Sequence, residues 1–277
     1  MRTVKGCSGK RYRWVLALAF VAIIGAHSAY EYFQEPDHLR LNLIQRLVVT
    51  RIVAKWQDRI KALPEDVRTI VDYSLLWQDL NLVERFLLDR IFAIDPKNLG
   101  FKGPFHSTKN PDNLIRVEPA DYKAGKMWIF TGKVQYCPRH SYGDFQRIMA
   151  AMRKDLGKAL FIESAYRSPG QQAFLFLFYL VTSHNYSLYE TARLSALPGY
   201  SEHNDPINGA IDFINEDGID DKDFEALPEY KWLLEHAAEF NFYLSFPRNN
   251  DWGVGFEPWH WHWEAPKAAG ASMVGDR

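Results

Sequence analysis

Two short segments near the C-terminal end of this 277-residue chain contain the residue types of a hydrolytic metal site. The first contains His203 and Asp212, and the second contains Glu257 and His260. Catalytic zinc usually keeps three protein ligands drawn from His, Asp, Glu and Cys and leaves one position open for water. Metal binding lowers the pKa of that water to about 7, so that a nearby carboxylate can complete the deprotonation. His203, Asp212 and His260 are therefore predicted as metal ligands, and Glu257 as the base.

The second segment alternates Trp and His over residues 259–263. Successive side chains of a strand point to opposite faces, so His260 and His262 would share one face, and either could serve as the ligand. In a continuous strand, Glu257 would point to the opposite face, because it lies three residues before His260. Pro258 cannot continue a regular ladder of hydrogen bonds, and a bend there would bring the Glu257 carboxylate towards the metal.

Each of these residues also has an interpretation without catalysis. Taken alone, His203 or His262 can be an ordinary surface or hydrogen-bonded histidine, and the three tryptophans of the second segment can form an apolar wall. Asp212 differs because it interrupts an otherwise apolar strand. A buried carboxylate is costly unless it is paired or bound to a metal, which favours a functional role for Asp212.

The pattern resembles the zinc D-alanyl-D-alanine carboxypeptidases typified by VanY, which are relatives of the VanX dipeptidases. That family shows Ser-x-His, a short Gly-containing stretch, Ala-x-Asp and, later, Glu-x-Trp-His. The matching residues are Ser201, His203, Ala210, Asp212, Glu257, Trp259 and His260. A third matching block runs over residues 164–168 and is followed by Gln171 and Gln172. The resemblance covers residues 141–266.

Two departures from the family pattern lead to further expectations. The span from His203 to Asp212 is longer than is usual in the family, which predicts a bulge at Asp205 and Pro206. The family commonly has an arginine where this chain has His262, and the resemblance favours His260 as the ligand.

The resemblance implies a catalytic and substrate-binding role for Arg167. Ser201, two residues before a predicted ligand, and Gln171 are further candidates for substrate contacts. The forked, permanently charged guanidinium of Arg167 suits a carbonyl that develops negative charge, or a terminal carboxylate. Preorganised donors of this kind often lower the barrier of acyl transfer more than any other factor. The alternatives are a solvated arginine at a strand end, a turn cap at Ser201 and a helix-start residue at Gln171.

The predicted fold class is α+β. The resemblance implies a small antiparallel sheet with flanking helices, as in DD-peptidase and hedgehog-like zinc folds, and residue periodicity predicts a helical region before it over residues 39–94. Predicted helices in the matching part cover 144–156, 171–183, 188–196 and 230–240, and predicted strands cover 159–164, 210–214, 242–244 and 259–263. Short strands are also expected around residues 128–134.

The N-terminal segment predicts export. Basic residues precede an apolar run over residues 14–26, and Ala26-His27-Ser28 offers a small-residue pattern for cleavage. A membrane span needs about 20 apolar residues, which the run approaches, and the basic end suits the cytoplasmic side. The predicted organisation is a signal peptide or anchor over 1–30, a mainly helical region over 31–135, a zinc peptidase domain over 136–266 and a tail over 267–277.

Composition is that of a folded chain, with 47% hydrophobic residues and a formal net charge of −1, so no nucleic-acid partner is expected. Cys7 and Cys137 are the only cysteines, and they predict no disulfide framework.

The predicted function is removal of the terminal D-alanine from peptidoglycan stem peptides by a zinc enzyme of the cell envelope, attached to the membrane through its N-terminal segment or released. Two alternatives remain open. The first is another enzyme with the same chemistry, either a peptidoglycan endopeptidase or a D-Ala-D-Ala dipeptidase. The second is a non-catalytic wall-binding protein with structural zinc, in which His262 would be the fourth ligand.

Overall fold

The structure, a computed structural model, describes residues 22, 24–118, 121–124, 127–130 and 133–266. Most of the predicted signal or anchor segment and the tail from residue 267 lie outside these ranges. Residues 24–33 are helical. Within the described ranges, no helix combines the length and the apolar character needed to cross a bilayer.

The region predicted as helical over residues 39–94 contains several separate helices. They are α1 (Leu43–Ala62), α2 (Tyr73–Gln78) and α3 (Leu82–Phe92), with 3₁₀ turns at Glu65–Ile70 and Pro96–Leu99. Asn42 and Asn81 form capping boxes at the starts of α1 and α3. Such caps satisfy backbone N–H groups that have no partner within the helix, and each therefore marks a new helix start.

Two of the predicted metal ligands, Asp212 and His260, lie on a four-stranded sheet. Its strands are β5 (Phe161–Ser164), β6 (Ala210–Ile214), β7 (Phe242–Leu244) and β8 (His260–Trp263), in the order β5-β6-β8-β7. All neighbouring pairs are antiparallel. Two smaller antiparallel pairs precede it: β1 (Leu114–Val117) with β4 (Gln135–Pro138), and β2 (Asp121–Ala124) with β3 (Met127–Phe130).

Helices flank the main sheet, and the predicted α+β class with a small antiparallel sheet is confirmed. The helices α4 (Arg139–Leu156) and α7 (Pro228–His236) pack against this sheet. The helices α5 (Pro169–Thr182) and α6 (Leu188–Ala192) lie between β5 and β6 in the chain. Short 3₁₀ turns occur at Glu202–Asn204, Lys222–Ala226 and Ala237–Phe240.

Within the described ranges, the buried apolar residues form two clusters. One combines the sheet with α4 and α7 and includes Phe213 and Trp261. The other combines α1, α2 and α3 with α5, and it includes Trp56 and Phe176. The second cluster therefore contains residues from both sides of the boundary predicted at residue 135, and that boundary stays a prediction.

Candidate metal and active site

Three side chains with metal-binding atoms converge at the centre of the main sheet. Ligand atoms of His203, Asp212 and His260 all lie within 4.8 Å of one another. Asp212 and His260 are directly opposite each other on β6 and β8. His203 comes from the neighbouring 3₁₀ turn. Sheet register and one turn therefore bring together residues that are far apart in sequence.

Among the described residues, one ring nitrogen of His203 has no hydrogen-bond partner. Its Nδ1 donates to the carbonyl oxygen of Ala165 at 2.6 Å. The proton is thereby placed on Nδ1, and Nε2 keeps its lone pair. Nε2 is buried and lies 3.0 Å from Oδ2 of Asp212, but it makes no hydrogen bond of acceptable geometry. A buried lone pair that faces a carboxylate fits a cation between the two groups.

His260 has a carboxylate on each side of its ring. Nδ1 lies 2.8 Å from Oδ1 of Asp212, and Nε2 lies 2.9 Å from Oε2 of Glu202. The ring of Phe246 covers it with centroids 4.8 Å apart. Glu202 was not singled out from the sequence. Its position directly before His203 was the one available signal.

His262 lies outside this convergence. Its Nδ1 is 2.9 Å from Oγ of Ser245, and its Nε2 is 3.0 Å from Oε1 of Glu264. Both ring nitrogens are therefore engaged elsewhere. The geometry singles out His260, rather than His262, as the histidine beside Asp212.

The charges of the site are strongly coupled. Burial raises the pKa of Asp212, but the adjacent His203 and His260 outweigh it and hold that pKa well below its usual range. Burial, with Arg167 adding to it, lowers the pKa of His203 to about 4. Burial opposes the charge on His260, yet Asp212 and Glu202 raise its pKa to about 10. A metal ion that binds here must displace the His260 proton, because a ligating imidazole is neutral.

Glu257 lies beside the metal-binding atoms. Its Oε2 is 3.9 Å from Nδ1 of His260. The His260 N–H donates to the Glu257 carbonyl oxygen at 3.2 Å, which closes a turn through Pro258. Burial, assisted by Asp212 and Glu202, raises the pKa of Glu257 to about 7 against the opposing effect of His260 and Arg167.

Arg167 points its guanidinium at the same site. Its Nη2 lies 3.5 Å from Oδ2 of Asp212, and its Nη1 donates to Oε1 of Gln172 at 3.3 Å. Nε is buried and makes no hydrogen bond to any residue that the structure describes. The Arg167 backbone is held at both ends, because its N–H donates to the His203 carbonyl at 3.0 Å and its carbonyl accepts from Asn204 at 2.5 Å.

The two glutamines after Arg167 have different positions. Gln172 is buried and is itself fixed, since its Nε2 donates to Oγ of Ser195 at 3.2 Å and to the Ala196 carbonyl at 2.8 Å. The sequence interpretation gave no role to this residue. The Gln171 N–H donates to Oγ of Ser168 at the start of α5, and its side chain lines an adjoining cavity of about 310 Å³ rather than the main cleft.

The main cleft has a volume of about 410 Å³ and contains the metal-binding atoms, Arg167, Glu257 and Ser201. The Ser201 hydroxyl does not cap the 3₁₀ turn that follows it. Phe101 and Tyr200 also line the cleft, with ring centroids 6.4 Å apart. Phe101 comes from the region before β1, which therefore takes part in the wall of the cleft.

The loop between His203 and Asp212 turns at Asp205, where a bulge was expected. Oδ1 of Asp205 accepts from the N–H groups of Ile207 and Asn208 at 2.8 and 2.9 Å. Oδ2 lies 3.1 Å from Nδ1 of His106. The extra length of the loop is thus accommodated away from the metal-binding atoms.

Two imidazoles and a carboxylate, with a second carboxylate and an arginine beside them, are the residue types of a metal-dependent hydrolase site. The family model described as VanY, D-alanyl-D-alanine carboxypeptidase, matches residues 136–266. The resemblance stated from the motifs is therefore confirmed.

Several solved structures are similar to the chain. The LdcB LD-carboxypeptidase has 20% identity and a TM-score of 0.47, and the match covers 61% of this chain and 77% of that chain. The vancomycin-resistance D,D-pentapeptidase VanY, solved with Zn(II), has 22% identity, a TM-score of 0.40 and coverage of 56% and 84%. DacB from Streptococcus pneumoniae D39 has 21% identity, a TM-score of 0.36 and coverage of 54% and 84%. No curated protein is significantly similar.

Proposed function

We propose that this protein is a zinc-dependent carboxypeptidase that removes the terminal D-alanine from peptidoglycan stem peptides. The observation that carries the proposal is the convergence of His203, Asp212 and His260 beside the Glu257 carboxylate. The family match over residues 136–266 supports the same activity and the same bond.

Nε2 of His203, Nδ1 of His260 and one oxygen of Asp212 would hold the ion. Two nitrogens and one carboxylate oxygen make a donor set that suits zinc and leaves a coordination position open. When bound, zinc supplies a Lewis acid for the scissile carbonyl and a water of lowered pKa. Since His262 is engaged elsewhere, the described residues offer three ligands here, which favours catalytic over purely structural zinc.

Glu257 would take a proton from the attacking water and pass it to the departing amino group. A general base works best when its pKa lies near the pH at which it operates, so that it can both accept and release a proton. Burial sets the pKa of Glu257 at about 7 before any metal is bound. A bound cation would lower it, which keeps the carboxylate ionised and ready to accept a proton at neutral pH.

Arg167 would bind the substrate and stabilise the carbonyl oxygen as it becomes negative. Gln172 and the Asp212 carboxylate hold its guanidinium towards the cleft. The Ser201 hydroxyl, which lines the cleft and does not cap the 3₁₀ turn, would contact the peptide. Gln171 would contact a part of the substrate that reaches the adjoining cavity.

The proposed substrate lies outside the cytoplasm, which places the protein in the cell envelope. The basic residues and apolar run before residue 27 support export, either as a cleaved signal or as a membrane anchor.

Mass spectrometry of a stem pentapeptide ending in D-alanyl-D-alanine tests this function. Zinc-loaded protein should remove one alanine, a chelator should stop the reaction, and Glu257→Ala should reduce the rate by a factor on the order of 10²–10⁴ while zinc stays bound. Internal cleavage would instead identify an endopeptidase, and hydrolysis of free D-Ala-D-Ala alone a dipeptidase. If none of these substrates is cleaved, the proposed enzymatic function is wrong, and a wall-binding role is favoured.

A further inference from the structure

We propose that Glu202 is a positioning residue that fixes the tautomer and orientation of His260 and strengthens its binding of the metal ion. The inference rests on the metal site of the proposed function. It concerns a residue that does not itself offer an oxygen to the ion, since Glu202 faces the ring nitrogen turned away from the converging ligand atoms.

The two nitrogens of the His260 ring have separate partners. Nδ1 faces Oδ1 of Asp212 at 2.8 Å and belongs to the metal-binding set. Nε2 faces Oε2 of Glu202 at 2.9 Å. An ionised carboxylate can only accept a hydrogen bond, so Nε2 must carry a proton. In a neutral ring the lone pair then lies on Nδ1, where the metal ion would bind.

The two candidate ligand histidines differ in what holds them. His203 donates from Nδ1 to a neutral backbone carbonyl, that of Ala165, whereas His260 donates from Nε2 to a carboxylate. A hydrogen bond to an ionised acceptor is roughly twice as strong as one between neutral groups. It also increases the electron density of the imidazole and hence its basicity towards the metal. His260 should therefore be the stronger donor of the two.

Glu202 is itself held in place. It begins the 3₁₀ turn that also presents His203, and its carbonyl accepts from the Asp205 N–H at 3.0 Å. The next residue but one, Asn204, is fully buried and bonds to the Gly199 N–H and to the Arg167 carbonyl. The same turn thus provides His203 as one ligand and, through Glu202, contacts the ring nitrogen of His260 that does not face the metal-binding set.

Three variants separate the contributions of charge, of orientation and of the fold. Glu202→Gln can still accept from Nε2 through its amide oxygen, but it lacks the charge. Glu202→Ala removes the acceptor entirely. The matched control is Glu264→Gln, because Glu264 makes the same contact with Nε2 of His262, at 3.0 Å, outside the metal-binding set.

The measurement is the zinc dissociation constant of the full chain, obtained by competition with a chromophoric chelator. Removing a partner of this kind typically weakens metal binding by about 10–100-fold. We expect Glu202→Gln near the lower value, Glu202→Ala near the upper value and Glu264→Gln unchanged. The unfolding midpoint of each metal-free variant is measured alongside, because a purely structural role would lower that midpoint without changing zinc affinity.

Zinc affinity of Glu202→Ala within about twofold of wild type would overturn the proposal. If that variant does not fold, Glu202→Gln decides by the same criterion. Wild-type protein that binds no zinc would instead reject the proposed function as a whole, which keeps the two failures distinct.

Discussion

Glu257 lies among charged groups of both signs, and burial dominates its proton affinity. Its side chain is 12% exposed, and its pKa in the folded, metal-free protein is raised from 4.5 to about 7. The folded state therefore holds this proton more tightly than the unfolded chain. Its contribution to stability is complete below pH 4.5 and is lost as the pH rises through 7.

A Glu257→Gln substitution should remove this pH dependence. At pH 8 the metal-free variant should be more stable than metal-free wild type, by up to about 3 kcal/mol for a shift of this size. At pH 4.5 the difference should become small, because the wild-type carboxyl is then protonated in the folded state. Urea unfolding in the presence of chelator at both pH values measures the difference. A difference that is equal at the two pH values would contradict the burial of an ionisable Glu257.

Residue types, with the family resemblance choosing His260 over His262, predicted the candidate ligands and the candidate base, and the structure brings these residues together. The residue types could not predict Glu202 or Gln172. Glu202 meets His260 across two elements that are distant in sequence, and contacts with Ser195 and Ala196 orient the Gln172 side chain that accepts from Arg167. Such partners depend on tertiary packing, and no local pattern specifies them.

At the level of elements, the region before β1 holds the segment that carries Arg167. The Ser168 N–H donates to the Thr69 carbonyl at 3.0 Å, and its hydroxyl donates to the Val71 carbonyl at 2.6 Å. The same hydroxyl accepts from the Gln171 N–H and caps α5. Gly170 allows this close approach, because a Cβ there would lie 2.4 Å from the Val71 carbonyl oxygen.

A Gly170→Ala substitution should therefore push α5 away from residues 71–73. We expect a loss of about 1–3 kcal/mol in the free energy of unfolding, as for other overpacked sites. Peptidase kcat/KM should fall as well, because Arg167 precedes the displaced helix start. The matched control is Gly143→Ala in α4, where an added Cβ meets nothing within 4 Å. This substitution should raise the free energy of unfolding by about 0.5–1 kcal/mol, because Ala is favoured over Gly inside a helix. Urea unfolding and peptide turnover provide the readouts. A Gly170→Ala protein as stable as wild type would contradict the close contact between the start of α5 and residues 71–73.

Element boundaries show what local sequence can and cannot specify. The strands at 210–214 and 242–244 were predicted with their observed bounds, since apolar runs between turn residues define them. The helices α4, α5 and α7 begin earlier than predicted, directly after or at a proline. Proline suits the first turn of a helix, where its missing N–H needs no partner, so the prolines mark starts rather than interruptions.

At the scale of the whole molecule, the helices before residue 93 and the family-matched domain share one apolar cluster. The ring of Phe92 in α3 packs edge-on against that of Phe176 in α5, with centroids 6.4 Å apart. The sequence suggested a separate region because Gly, Pro and Asn cluster between residues 96 and 113. Composition identifies a loop, but it does not reveal which surfaces pack together after the chain has turned.

Because of this shared core, a destabilising substitution in α1 should also lower the denaturant concentration at which the metal site unfolds. Ile52 lies in the middle of α1 and is fully buried, so Ile52→Ala should lower the free energy of unfolding by about 2–5 kcal/mol. Helical circular dichroism and release of zinc to a chelator, followed in the same urea titration, should shift to lower denaturant together.

Leu47→Ala in the same helix is the control, since Leu47 is 61% exposed and its loss should change little. If zinc release keeps its wild-type midpoint in Ile52→Ala while helical signal is lost early, the helices before β1 form an independent unit. A common shift would instead mean that the peptidase domain depends on these helices for its fold and, through the Ser168 contacts, for the position of Arg167.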